Sequence, residues 1–186
     1  MVVCWSCVPE KNDKAKSVKL YYDIHGLIDE QVKLLDSISP SLYKKAVING
    51  VEEISQFVPK DSAAWSKELQ IFKSADINKS ILSDSYAITE SSEVNVKTIT
   101  YSSKYSESTL VDNLLIQIAE NNNKLQKFHA HLNNKNELYA SSKELEMYFI
   151  NENGKHRIAG YSIAGSQKMI SKDSAYYLIE AKITYL

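Results

Sequence analysis

The sequence contains little glycine, proline or cysteine, and it carries almost no net charge. It has 5 glycines, 3 prolines and 2 cysteines in 186 residues, which agrees with regular secondary structure and excludes a disordered or collagen-like chain. The formal net charge of -1 removes the electrostatic reason to expect nucleic acid as a partner, because phosphate binding depends on clustered lysine and arginine. The lysines are instead scattered among glutamate and aspartate.

Motifs for catalysis and cofactor binding are also missing. The stretch Ala164-Gly165-Ser166-Gln167 lacks the strand-to-helix pattern of a nucleophile elbow, and it is predicted to be a turn. Gly160 and Gly165 are too isolated for a phosphate-binding loop, and glycine within a strand pattern more often marks a bulge or bend. Carboxylate pairs such as Glu144 and Glu146 are interpreted as solvated surface charges. The sequence therefore supports no enzyme class and predicts no cofactor.

The first sixteen residues differ from the rest of the chain. An apolar start ending Ser6-Cys7 gives way to a charged stretch from Val8 to Lys16. This segment resembles the end of a bacterial lipoprotein signal, in which a small residue precedes the cysteine that becomes lipidated, and the methionine at position 1 would then be a misassigned start. A Cys4-x-x-Cys7 redox or zinc motif is the alternative, but it lacks the flanking elements and the further ligands. Two incidental cysteines are the third reading.

The length and composition fit one globular domain, with 44% hydrophobic and 24% charged residues. We expect residues 1–16 to be a signal remnant and flexible tether, and residues 17–186 to be a single α+β domain. Leucine and isoleucine recur at helical spacing from Ser17 to Ser37, which predicts an amphipathic helix ending near Pro40. A shorter helix is predicted from Ser62 to Ser74.

Strand patterns fill the remaining sequence. Asn49-Gly50 between apolar β-formers predicts a hairpin with a type I′ turn. After Asn78 the apolar residues alternate to the end of the chain, and short asparagine-rich breaks favour an antiparallel meander of seven strands. Leu145, Met147 and Phe149 are expected on one face and Tyr148 on the other. The fold class is therefore α+β, with a long, curved, half-barrel-like meander packed on an N-terminal amphipathic helix and a second short helix.

Tyrosine is the one aromatic residue in excess, at 12 against 4 phenylalanines. Tyrosines on the helix and the sheet could line a groove that holds a lipid-like or glycan ligand, since the ring is apolar and the hydroxyl is polar. The candidate ligand-binding residues are Tyr21, Tyr148, Tyr161 and Tyr177. The alternative interpretation is that these rings pack between helix and sheet.

Phe128-His129-Ala130-His131 places two imidazoles on one face of a strand. Two such histidines can supply a pair of metal ligands. A solvent-facing strand explains His129 and His131 equally well, because the further ligands would have to come from other strands. No metal is assigned.

The Cys7 start, the charged tether, the helix carrying Tyr21-Tyr22-Asp23-Ile24 and the sheet ending Tyr177 to Ile183 together resemble small bacterial envelope lipoproteins of uncharacterised function. The resemblance implies a location in the periplasm or at the outer membrane, with a lipid anchor at Cys7; a cytoplasmic location is the alternative if Met1 is the true start. Curved sheets with a helical plug also resemble the carriers that hold lipoprotein acyl chains.

Three functional hypotheses follow. The first is a non-enzymatic, envelope-tethered domain that binds an apolar or amphipathic ligand between helix and sheet. The second is a protein–protein interaction or scaffolding domain that uses the exposed sheet face or an edge strand to bind an envelope protein. The third is a hydrolase with dispersed catalytic residues.

Overall fold

A computed structural model describes residues 19–152, 154–170 and 172–185. Cys7 and the predicted tether lie outside the described residues, so their role stays a prediction. Within these residues the structure contains two α-helices, two short 3-10 segments and nine strands. The first half consists of α1 Ile24–Ile38, β1 Ser41–Ile48, β2 Val51–Phe57, α2 Ser62–Leu69 and the 3-10 segments Gln70–Ala75 and Ser80–Leu82. The remaining strands are β3 Tyr86–Glu93, β4 Val96–Ser103, β5 Val111–Ala119, β6 Lys124–Lys135, β7 Tyr139–Glu152, β8 Lys155–Met169 and β9 Ala175–Thr184.

Helix α1 begins later than its apolar spacing predicts. The side chain of Asn78 accepts a hydrogen bond from the Tyr21 N–H at 2.9 Å and donates to the Tyr22 carbonyl at 3.0 Å, which holds that segment outside the helix. Asp23 then caps the helix by accepting from the Gly26 N–H at 2.9 Å. Gly26 therefore lies in the first turn, where the absence of a Cβ leaves room for the capping carboxylate.

The predicted hairpin is confirmed. Asn49 and Gly50 both have positive φ, at 49° and 85°, and Ile48 pairs directly with Val51. The hairpin then joins the sheet through β1, which pairs with β9 at the other end of the chain. Strands β3 to β9 form the predicted meander, and the full order is β2-β1-β9-β8-β7-β6-β5-β4-β3. All pairings are antiparallel.

The prediction of a turn at Ala164-Gly165-Ser166-Gln167 is wrong, because these residues lie inside β8. The predicted break at Asn133-Asn134-Lys135 is also replaced by strand, since β6 runs to Lys135. Residues 164–167 pair with β7 and β9 on either side, and Asn133 to Lys135 pair with β7. This pairing outweighs the weak strand preference of glycine, serine and asparagine. Gly160 does lie beside the predicted kind of irregularity, a register shift between Tyr148 and Phe149 on β7.

The two faces of the sheet are as the alternation predicts. Leu145, Met147 and Phe149 are buried on the face that we call inner, and Tyr148 is exposed on the outer face. The two helices pack on the inner face of this open, curved sheet and share one core with it. Helix α2 ends at Leu69, before the predicted end at Ser74, and the chain continues as the 3-10 segment Gln70–Ala75. Within the described residues no helix is long and apolar enough to cross a membrane.

Candidate functional site

The contact between the helices and the sheet is filled with side chains. Trp65, Leu69 and Phe72 are 0% exposed, as are Ile24 and Ile28 of α1. The Phe72 ring makes edge-on contacts with two sheet residues, Tyr161 at 5.2 Å and Phe128 at 5.9 Å between ring centroids. Directly beneath the helices, the inner face is therefore a packed core.

Tyr161 lies at the centre of this core and is 2% exposed. Its hydroxyl donates to the Glu68 carboxylate on α2, which also accepts from the Lys44 amine of β1 at 2.5 Å. Burial raises the pKa of Tyr161 far above its usual value, and the hydrogen bond to the charged Glu68 raises the pKa further. Tyr161 thus fixes α2 to the sheet.

Tyr21 lies near the opposite end of the sheet and is 8% exposed. Its ring packs edge-on against Tyr86 and Tyr101, with centroids 5.7 and 5.6 Å away. The hydroxyl donates to the Ser83 carbonyl at 2.6 Å.

Tyr148 is 42% exposed on the outer face, where the Lys127 amine lies 5.2 Å from its ring centroid. The structure therefore does not bring the four predicted tyrosines into one cavity.

The inner face extends beyond the helices as a surface that no described part of the chain covers. The helices contact the sheet near Ile158 and Tyr161, where Gln31 accepts from the Ile158 N–H at 3.0 Å. Away from these contacts burial decreases along β1, from 0% exposure at Leu42 to 54% at Ile48. In β8 exposure rises from 0% at Ile158 to 43% at Met169. We call this uncovered region the open floor, and its inner-face residues are Ile48, Tyr139, Lys143, Met169, Tyr177 and Ile179.

Tyr177 lies across the centre of the open floor. It pairs with Ile48 on one side and Gly165 on the other, and Gly165 pairs with Lys143. A Cβ at position 165 would lie 2.5 Å from the Tyr177 hydroxyl oxygen, so the glycine makes space for the ring. Burial raises the pKa of Tyr177, and the nearby Tyr139 raises it further. Among the described residues, no carboxylate lies within ion-pair distance of the Lys143 amine.

The two predicted histidines lie together on the outer face of β6. The Glu144 carboxylate is 2.6 Å from His129 Nε2 and 3.7 Å from His131 Nε2, and Asp112 is 3.4 Å from His131 Nδ1. The sheet supplies these acidic neighbours from β5 and β7, which sequence spacing could not indicate. Within the described residues, no three histidine, cysteine or carboxylate side chains are arranged to hold a metal.

The outer face also carries polar grooves. One groove of about 890 Å³ lies between the loop after β4 and the ends of β6 to β8. Its lining includes Asp112, Asn133, Ser142, Ser166 and Lys168. Small polar and charged residues dominate this lining, and among the described residues no large apolar or aromatic side chain contributes to it.

No protein-family model matches the chain, and no curated protein matches it significantly. Among solved structures, the chain is similar to the LolA superfamily protein NE2245 from Nitrosomonas europaea, with 10% identity over 88% of this chain and 93% of that one. The TM-score is 0.32. This likeness is too low to transfer the neighbour's properties to the present chain.

Proposed function

We propose that this protein is a non-enzymatic binding domain whose open floor holds an amphipathic ligand with an apolar tail and an acidic head. The observation that carries the proposal is the continuation of the apolar inner face beyond the helices. Ile48 is 54% exposed and Met169 is 43% exposed, although both lie on the face that forms the core elsewhere. Apolar surface of this kind gains about 25 cal/mol per Å² when a ligand removes it from water.

The polar groups of the floor favour an acidic head group. Lys143 of β7 places an amine on the inner face. Strand β8 lies between β7 and β9, and the Tyr177 ring extends from β9 over β8 with its hydroxyl above Gly165. An ammonium and a phenol hydroxyl can both donate hydrogen bonds to a carboxylate or phosphate. Ile48 and Ile179 would contact the tail. A long-chain fatty acid or an acidic lipid has this combination of groups.

Attachment to the bacterial envelope through a lipid on Cys7 is part of the proposal. It is supported by the small residue before Cys7 and by the charged stretch after it. Mass spectrometry of the N-terminal peptide, isolated from the native host, should find an acylated cysteine at position 7. An unmodified Cys7 on a mature protein would remove the anchor from the proposal.

Titration of the purified protein with a fluorescent long-chain fatty acid tests the ligand site. Tyr176 and Tyr177 form a matched pair, because they are neighbours in β9 on opposite faces of the sheet. Tyr177→Ser should weaken binding by about tenfold, equivalent to about 1.4 kcal/mol, whereas Tyr176→Ser should leave the affinity unchanged. Equal losses in the two variants, or a wild-type protein that binds no acyl probe, would contradict the proposal.

The charge of the head group is tested separately. Lys143→Gln should weaken binding of a fatty acid, but it should not affect a fatty alcohol of the same length, because only the acid gains from the amine. Native mass spectrometry of protein purified from its host should reveal the bound compound. An equal effect of Lys143→Gln on the acid and the alcohol would exclude recognition of an acidic head.

A further inference from the structure

Strand β2 forms one edge of the sheet, and the carboxylates of Glu52 and Glu53 are the one feature of its sequence that discourages further pairing. Among the described residues, Val51–Phe57 pairs with β1 alone, in an unbroken register from Leu42↔Phe57 to Ile48↔Val51. It contains no proline, lysine or glycine. Natural edge strands usually carry such residues or a bulge, because free backbone groups attract another strand. Val51, Ile54 and Phe57 are 74%, 54% and 42% exposed.

The hairpin turn determines which backbone groups of β2 are free. The residues that flank a two-residue turn form a hydrogen-bonded pair, so Ile48 and Val51 direct their N–H and C=O groups at each other. The Asn49 N–H donates to the Tyr176 carbonyl on the other side of β1, as this alternation requires. Residues of β2 then alternate, and Glu52, Ile54 and Gln56 direct their backbone groups toward the open edge.

The sequence of β2 is complementary to itself when two copies run antiparallel about Ile54. Ile54 then faces Ile54 of the second copy, and Val51 faces Phe57. Glu52 meets Gln56, and Glu53 meets Ser55, so each carboxylate faces a neutral hydrogen-bonding side chain. The residues with free backbone groups also lie opposite one another, which allows both their N–H and C=O groups to pair. Apolar cross-strand pairs add further stability.

Other antiparallel registers that keep the backbone groups in phase are worse. A shift by two residues in one direction sets Glu53 against Glu53 of the second copy, and like charges directly opposite are destabilising. The shift in the other direction sets Glu53 against Phe57 and Ile54 against Gln56. In the register centred on Ile54, the backbone groups of Glu52, Ile54 and Gln56 all find partners on the second copy. Each shift leaves one of these three residues without a partner there. The register centred on Ile54 is therefore strongly preferred.

We propose that the protein forms a homodimer in which β2 pairs antiparallel with β2 of a second copy across a two-fold axis at Ile54. The two curved sheets then form one continuous sheet, a closed arrangement in which the same strand of each subunit is used. Ile54 lies on the outer face and is not part of the open floor. Failure of this proposal is therefore distinguishable from failure of the proposed ligand site.

The opposite edge strand, β3, lacks this complementarity and provides the control. The two-residue turn at Val94 and Asn95 directs the backbone groups of Ile88 and Glu90 to the open edge. The backbone groups of Tyr86, Ile88, Glu90 and Ser92 all pair only when the two-fold axis lies at Thr89, and that register sets the apolar Ile88 against the Glu90 carboxylate. Ile88 is 51% exposed, close to the 54% of Ile54. Within one subunit Ile54 lies opposite Lys45 and Ile88 lies opposite Tyr101, so the folded state of both lysine variants has to be checked before their masses are compared.

Sedimentation equilibrium of the intact chain over a range of concentrations tests the dimer. Wild-type protein and Ile88→Lys should both show twice the mass of one chain. Ile54→Lys should dissociate at least tenfold more readily, because it sets two ammonium groups against each other at the axis. Far-UV circular dichroism checks that each variant is folded. A wild-type protein that stays monomeric, or equal weakening by the two lysine variants, would overturn the proposal.

Mixing complementary variants provides a second readout. Ile54→Lys and Ile54→Glu should each be weakened dimers alone, and an equimolar mixture should regain dimer because the axis then carries opposite charges. No regain of mass in the mixture, with both variants folded, would show that position 54 does not face its own copy. In a background in which Cys4 and Cys7 are serine, Ile54→Cys should also give a disulfide-linked dimer under mild oxidation, since paired Cα atoms lie about 5.5 Å apart. Absence of that product would also count against the pairing.

Discussion

At the scale of single residues, the Glu68 carboxylate lies at the edge of the core and carries a polar contact between α2 and the sheet. It lies between the Tyr161 hydroxyl and the Lys44 amine, and its side chain is 16% exposed. A carboxylate with so little access to water is costly unless hydrogen-bond donors compensate for the lost water, and here both donors bind the Oε1 oxygen. Glu68 therefore ties α2 to β1 and β8 only while both partners are present.

Replacing Tyr161 with phenylalanine tests this contact. The substitution preserves the packing against Phe72 but removes one donor from Glu68, so the free energy of unfolding should fall by about 1–3 kcal/mol. Urea denaturation measures the loss. Tyr148→Phe is the control, since its exposed ring lies on the outer face and should change stability by less than about 0.5 kcal/mol. Equal losses in the two variants would show that Glu68 does not need the hydroxyl.

At the scale of secondary-structure elements, α1 is attached by polar side chains as well as by its apolar face. Gln31 is 4% exposed, and its amide donates to the His156 carbonyl at 3.1 Å while accepting from the Ile158 N–H. At the surface, the Asp29 carboxylate accepts from the Lys73 amine of the 3-10 segment at 2.5 Å. The helix therefore contacts both the sheet and the second helical segment through specific groups.

The ion pair of Asp29 and Lys73 predicts a pH-dependent contribution to stability. The hydrogen bond from Lys73 lowers the pKa of Asp29 below its usual value. A carboxyl group whose pKa is lowered in the folded state stabilises that state above the unfolded pKa, and this stabilisation is lost as the pH falls through the folded pKa. Lys73→Met should therefore cost about 0.2–1 kcal/mol near neutral pH, the range for exposed pairs.

Urea unfolding of wild type and Lys73→Met at several pH values measures this effect. The difference between the two proteins should shrink as the pH falls below the usual aspartate pKa of about 3.9. Lys124→Met, at an exposed position at the start of β6, is a suitable control for loss of a lysine, because Lys124 is not among the groups that lower the pKa of Asp29. A difference between wild type and Lys73→Met that is independent of pH would assign the loss to packing of the Lys73 stem.

At the scale of the whole molecule, the buried tyrosines predict unfolding at alkaline pH. Burial raises the pKa values of Tyr22, Tyr86 and Tyr185 to about 12. A group whose pKa is raised in the folded state contributes stability below its unfolded pKa of about 10, and that stability is lost as the pH rises toward 12. Tyrosinate absorbance should therefore show exposed tyrosines titrating first, followed by a cooperative step that coincides with loss of circular dichroism. A single smooth titration with no unfolding would contradict this reading.

Much of the fold follows from local patterns in the sequence. The alternation around Met147 predicts which face of β7 is buried, because side chains in a strand point to opposite sides. Asn49-Gly50 predicts its hairpin, because both residues tolerate positive φ. The beginning of α1 is not local in the same way. It depends on hydrogen bonds between the Asn78 side chain and the backbone of Tyr21 and Tyr22, which lie 57 and 56 residues before Asn78 in the chain.

The candidate site was less predictable than the fold. Tyrosine composition identifies residues suited to a half-wet surface, but it does not distinguish Tyr161, buried under α2, from Tyr177 on the open floor. No motif in the sequence marks Lys143 as a ligand-binding residue. An alternating pattern places Lys143 on the apolar face of β7, and a lysine there is the one signal that could have indicated an uncovered part of that face.

The sequence by itself determined the type and approximate position of the elements, because turn residues and apolar periodicity act over a few neighbouring residues. Tertiary structure alone decided that β1 pairs with β9, that Gly165 lies within a strand beneath Tyr177, and that β2 is left as an edge. These features depend on contacts between residues far apart in the chain. The helices are also shorter than the strands they cover, and this difference in length leaves the open floor on which the proposed function depends.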